Sequence, residues 1–161
     1  MLDRIRSALD PSPWASRDVA LLILRVGIAV SFIFIYGWAK ISGGVSTWTD
    51  LGSNMQMLGV TVGYPVWGFL ASLSEFGGGI LLLLGLFFRP ALVFMILTMV
   101  VASIGHISGV IDGGPWHATE MGTVFLTLLL LGPGRYSLDA WLWGANDASS
   151  EEGSSDSGLA S

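Results

Sequence analysis

A small set of side chains in this sequence could hold a proton or a polar ligand in otherwise apolar surroundings. Tyr36, Glu75, His106 and Glu120 form the candidate site, with Arg25, Lys40 and His117 in support. A carboxylate accepts hydrogen bonds, a neutral imidazole both donates and accepts, and a phenol donates. Ionisable groups inside a hydrophobic run are costly to keep there, which makes each a candidate for function. Together they suit a quinone ring, whose oxygens would hydrogen-bond and exchange protons with them while its tail lies in lipid. Beyond quinone as a candidate, the cofactor is unknown from sequence.

Metal is the competing ligand, through His106, His117, Glu75 and Glu120. His117 and Glu120 stand three apart and would share a helix face. Di-iron bundles, however, use Glu-x-x-His twice with two further glutamates, more than this chain supplies, so no metal site is assigned. Haem between His106 and His117 is disfavoured because the two are close in sequence and do not face one another across two helices. The chain has no cysteine, which removes thiol nucleophiles, thiolate metal sites and iron–sulfur ligation together. No catalytic residue is assigned.

Each candidate also has a structural reading. Arg25 and Glu75 suit a buried ion pair that fixes helix register, and Arg25 could equally snorkel to the inner interface. His106 fits an interfacial histidine. Glu120 stands early in its helix, where a negative charge complements the dipole. Depth favours a shared role. At about 1.5 Å per residue from the cytoplasmic ends, Arg25 lies roughly 10 Å in, Glu75 and Glu120 about 20 Å, and His106 and Tyr36 about 25 Å. The acids, the histidine and the tyrosine therefore converge on one layer in the outer half.

The elements that position this layer follow from composition. Of 161 residues, 52% are hydrophobic and only 12% charged, with a mean hydropathy of +0.69; a soluble domain needs more charge to cover its surface. A hydrocarbon core of roughly 30 Å needs about 20 helical residues, and runs near 19–38, 64–88, 90–107 and 116–132 approach or meet that. The fold class expected is all-α, an integral membrane four-helix bundle spanning 18–143. A cytoplasmic segment, 1–17, precedes it and an acidic disordered tail, 144–161, follows. Arg4 and Arg6 resemble a signal-peptide n-region, but the apolar stretch after them is too long and contains Arg25. Arg4, Arg6, Arg17, Arg89 and Arg135 fall on one side of alternating spans and Lys40 on the other, which places both termini in the cytoplasm. Trp14, Trp38, Trp48, Trp67, Trp116, Trp141 and Trp143 fall at or near span ends, where an indole anchors. Between the first two runs, Trp48, Leu51, Met55 and Leu58 have the spacing of a short amphipathic helix on the membrane surface. Most of the net charge of −5 comes from the tail, and no basic patch for nucleic acid is present.

The sequence resembles the DoxX family of small bacterial and archaeal membrane proteins. The resemblance runs from about Val19 to Trp143 and rests on LLILRVGIAVSFIFIYGWAKI, SEFGGGILLLLGLFFRPAL, His106 and the closing EMGTVFLTLLLLGPGRYSLDAW. GPGRYSLD after the final span is its most specific element. Many relatives carry histidine where this chain has Tyr36, so a ligand role there does not transfer unchanged. The resemblance implies a four-helix protein of a bacterial or archaeal plasma (inner) membrane, with links to electron transfer through quinone. Relatives include a subunit type of thiosulfate:quinone oxidoreductase, and others associate with detoxifying redox enzymes. The leading expectation is a membrane subunit of a quinone-linked oxidoreductase or respiratory complex, not catalytic alone. Its partners would be the lipid bilayer and either other membrane or redox subunits or further copies of itself. Glu75, His106 and Glu120 would surround the head group, Arg25 would neutralise Glu75, and Lys40 and His117 would flank the outer mouth. The alternatives are a non-catalytic scaffold or assembly subunit, and a small transporter or proton-relay protein.

Overall fold

The computed structural model describes residues 17–142. All but the last residue of the N-terminal segment, and the acidic tail, lie outside the described residues, as do Arg4, Arg6, Trp14 and Trp143. Helix α1 spans Arg17–Ser42, α2 Gly44–Ser53 and a 3-10 turn Asn54–Leu58. They are followed by α3 Tyr64–Leu84, α4 Phe88–Ile107 and α5 Trp116–Leu131. Among the described residues there is no strand.

Local sequence sets these boundaries. Gly27 and Gly37 lie within α1 without ending it, and the helix continues one turn past Trp38, the end expected from hydropathy, to the Gly43–Gly44 pair, where Gly44 takes a φ of 73°. Within it, Phe32–Gly37 widens into a π-helical stretch, an irregularity that often accompanies functional sites. Pro65 stands in the first turn of α3, and Gly85, with a φ of 65°, closes it in the left-handed conformation. Phe88 therefore belongs to α4 rather than to the end of α3. The first backbone N–H groups of α4 are capped from far along the chain. Phe87 and Phe88 donate to the Asp139 carboxylate at 2.9 Å each.

The helices α1, α3 and α4 are each long and apolar enough to cross a membrane. The fourth apolar helix, α5, is shorter, with 16 residues, or about 24 Å. Many large apolar side chains face outward, among them Ile23, Phe34 and Leu130 at 68%, 69% and 78% exposure. Such a surface suits hydrocarbon, not water. The chain is an all-α, multi-span membrane protein.

Helix α3 lies against α1, α2 and α4. At Gly37 the α1 backbone comes so near α3 that an added methyl group would stand 2.7 Å from Phe76 Cα. Small residues allow such contact between membrane helices. Where α1 ends, α2 continues along the first turns of α3. The expected amphipathic helix thus forms, but it packs on a neighbouring helix. On the other side, Met95 of α4 lies against Gly78, and the Thr98 hydroxyl donates to Ser74 at 2.9 Å. Helix α5 packs on α4 and meets α1 across a gap bridged by rings, Phe32 on Phe125 edge-to-face at 5.1 Å. Phe32, Phe125, Leu82, Leu92 and Met95 belong to the buried core.

The end of the bundle nearest the chain termini is closed by Arg25. Its guanidinium, 1% exposed, donates to the carbonyls of Leu82, Leu83 and Tyr136 at 3.2, 3.3 and 3.0 Å, and to that of Pro133. The expected pairing of Arg25 with Glu75 does not occur. Arg25 lies level with the end of α3, two turns away from Glu75, and its donors are taken by backbone carbonyls of the α3 end and of the loop after α5.

Candidate functional site: a polar cavity at the loop end

The opposite end of the bundle, where the α1–α3 and α4–α5 connections lie, holds most of the other candidates. Close approach at Gly37 brings the last turn of α1 level with the middle of α3. There Lys40 Nζ donates to both oxygens of Glu75, at 2.7 and 2.5 Å. The Glu75 side chain is 6% exposed and that of Lys40 32%. A carboxyl group without a partner at that burial would be strongly disfavoured, and Lys40 is the partner that Glu75 has there. The end of α1 is fixed in turn by Trp48, whose indole N–H donates to the Lys40 carbonyl at 3.0 Å.

Tyr36 stands one turn before Lys40 on the same face of α1. Its ring stacks on His117 of α5, with centroids 4.7 Å apart and planes inclined by 25°. His106 comes from the last turn of α4, beside Gly113 of the following loop. Its Nδ1 is buried and has no hydrogen-bond partner among the described residues. These five side chains form the polar wall of a cavity of about 120 Å3. Phe32, Met99, Ala102 and Ala118 form its apolar wall.

The cavity has a neighbour. Between α1 and α5 runs a groove of about 330 Å3, lined by Gly27, Ile28, Ser31 and Met121. It shares Phe32, Tyr36 and His117 with the cavity, so the stacked pair of rings stands between the two spaces.

The structure thus brings Tyr36, Glu75 and His106 together with Lys40 and His117, and leaves out two expected members. Arg25 is at the far end. Glu120 is exposed and does not line the cavity, and Thr123 and Thr127 on its face are exposed too. Their hydroxyls bond back to carbonyls of their own helix at 2.9 Å. The face of α5 that packs carries Ala118, Phe125 and Leu128. That stripe has helical spacing in the sequence, and Glu120 lies off it. Lys40, expected at the mouth, is the counter-ion instead. Its spacing of four from Tyr36, on a helix unbroken until Gly43, was the available signal. Among the described residues no three metal-ligating side chains gather in one place.

The DoxX family profile matches residues 20–106, more than half of the chain. The chain belongs to the DoxX family. The matched region contributes Tyr36, Lys40, Glu75 and His106 to the cavity, while His117 lies beyond it. This DoxX chain is 35% identical over 137 residues to the inner membrane protein YphA of Escherichia coli K12, covering 78% of the chain and 91% of that protein. It is 33% identical over 132 residues to the inner membrane protein YqjF of the same organism, covering 78% and 93%. No solved structure matches it.

Proposed function

We propose that this DoxX protein is a membrane subunit of a quinone-linked oxidoreductase or respiratory assembly, and that its loop-end cavity receives the quinone head group. In this reading all four long helices cross a bacterial inner membrane, the compartment named for both relatives. Both termini are cytoplasmic, because Arg17, Arg89 and Arg135 lie at the terminal end of the bundle and Lys40 at the other.

The observation that carries the proposal is the cavity itself, which gathers Tyr36, His106, His117 and the Lys40–Glu75 pair on one wall. A small number of polar groups on an otherwise apolar wall is the usual make-up of a ligand site. A quinone, when bound, supplies two-electron, two-proton redox chemistry. His106 would bind one of its oxygens and Tyr36 would donate a hydrogen bond. His117 would hold the Tyr36 ring in place, and Lys40 would keep Glu75 charged as a proton acceptor within the membrane. In this scheme the electron donor would belong to a partner subunit.

Binding of a short-tailed quinone analogue to the purified chain tests the reading. Glu75→Gln and His106→Ala should each weaken it at least fivefold, whereas Glu120→Gln should leave it unchanged. Unchanged binding in both cavity variants would overturn the proposal. It would favour instead a scaffold whose polar residues only specify packing, a role compatible with the mutual satisfaction of Lys40 and Glu75.

A further inference from the structure

The cavity accounts for a ring but not for the chain attached to it. Pockets that enclose whole drug-sized ligands measure roughly 300–1,000 Å3, and the cavity is about 120 Å3. We propose that the groove between α1 and α5 is the binding site for the isoprenoid tail of that quinone, which enters sideways from the bilayer past Tyr36 and His117. This rests on the head-group reading above.

Continuity is the first argument. The groove and the cavity share Phe32, Tyr36 and His117, so a ligand with its ring beside His106 has its substituent directed toward Ser31 and Gly27. From Tyr36 to Gly27 the groove follows α1 for about 14 Å. Its chemistry is the second. Ile28, Phe32 and Met121 are apolar, and the hydroxyl of Ser31 is spent on the Gly27 carbonyl at 3.2 Å. Gly27 is exposed, and a methyl group added there would meet nothing within 4 Å. Exposed Leu24 and Val30 flank it, so the groove opens on the surface that faces hydrocarbon. Charge narrows the occupant. A phospholipid would bring a phosphate, but the cation at the inner end, Lys40, is already neutralised by Glu75.

Gly27→Leu in the full chain fills the groove without touching the cavity. Native mass spectrometry of the detergent-solubilised protein can weigh what is bound. It would be titrated with a tail-less benzoquinone and with the same head group bearing a long isoprenoid tail. The wild type should bind the tailed form at least tenfold more tightly. Gly27→Leu should abolish that preference while binding of the tail-less form stays within twofold. Ser31→Leu, one turn further along the same wall, should do the same and serves where Gly27→Leu yields no folded chain. Equal loss of both ligands, or loss of neither, would overturn the groove proposal and leave the head-group reading standing. No binding of either by the wild type would overturn both. Retention of a phospholipid mass that Gly27→Leu removes, or conversion of a dimer to a monomer by that change, would assign the groove to another occupant.

Discussion

Lys40 and Glu75 form the ion pair on the wall of the cavity. Removing one member of a buried pair leaves the other charged and unpaired, at a cost of about 3–5 kcal/mol in buried settings. Lys40 is partly exposed, so the lower end of that range applies. Lys40→Met should therefore destabilise the chain by about 3 kcal/mol. Glu75→Leu added to it should restore much of the loss, since an apolar pair needs no counter-charge. Thermal unfolding of the solubilised single and double variants, combined as a cycle, measures this coupling; additive losses would mean that the pair carries no interaction. Residue type alone marked Glu75, Tyr36 and His106, because an ionisable or hydroxyl group in an apolar run is conspicuous. The partner was not legible. Counting depth along straight helices placed Arg25 and Glu75 without knowing that Arg25 would be claimed by carbonyls of Leu82, Leu83, Pro133 and Tyr136. Those carbonyls belong to a helix end and a loop, and no side-chain pattern announces them.

At the scale of the elements, the π-helical stretch of α1 and its contact with α3 govern the site. Phe32–Gly37 presents Phe32 and Tyr36 to the cavity, while Gly37 on the opposite side touches the Phe76 backbone. Gly37→Ala should push the two helices apart, because the atoms it would strike are backbone and cannot rotate away. The expected effect is a loss of about 1–3 kcal/mol, as for other overpacked interiors, together with weaker quinone binding, since Lys40 and Tyr36 move with α1. Melting temperature and ligand affinity should fall together in this variant; a fall in stability with unchanged affinity per folded chain would uncouple the contact from the site. Hydropathy located the apolar helices within a few residues. It misplaced the α3–α4 junction, which is set by the left-handed Gly85 and by the distant cap from Asp139, and it gave no sign of the π-helical stretch. The family resemblance marked GPGRYSLD as a specific segment without its task. Pro133 and Tyr136 take hydrogen bonds from Arg25, and Asp139 caps α4, so the segment ties α1, α3 and α4 together at one end.

For the whole molecule, the division of labour between the two ends gives the proposed topology a functional sense. One end is closed by Arg25, which donates to backbone carbonyls, and by Asp139, which accepts from backbone N–H groups, and the other holds the polar cavity and the connecting segments. If α5 spans despite its 16 residues, the termini share a side and the α1–α3 connection faces the other. The basic residues at the terminal end then put the cavity in the outer half, nearer the outer surface than the cytoplasm. Hydropathy alone could not decide the point, since 16 residues reach about 24 Å against a hydrocarbon core of about 30 Å. The absence of cysteine makes a direct measurement clean. Single variants Ser46→Cys, at an exposed position of α2, and Ser149→Cys, near the C-terminus, would each carry the only thiol of the chain. In intact cells a membrane-impermeant maleimide should label Ser46→Cys and spare Ser149→Cys, and in inverted vesicles the pattern should reverse. Labelling of both from one side would mean an odd number of spans, with α5 lying outside the hydrocarbon. His117 would then lose its place beside Tyr36 within the membrane, and the lateral route to the cavity would be lost with it.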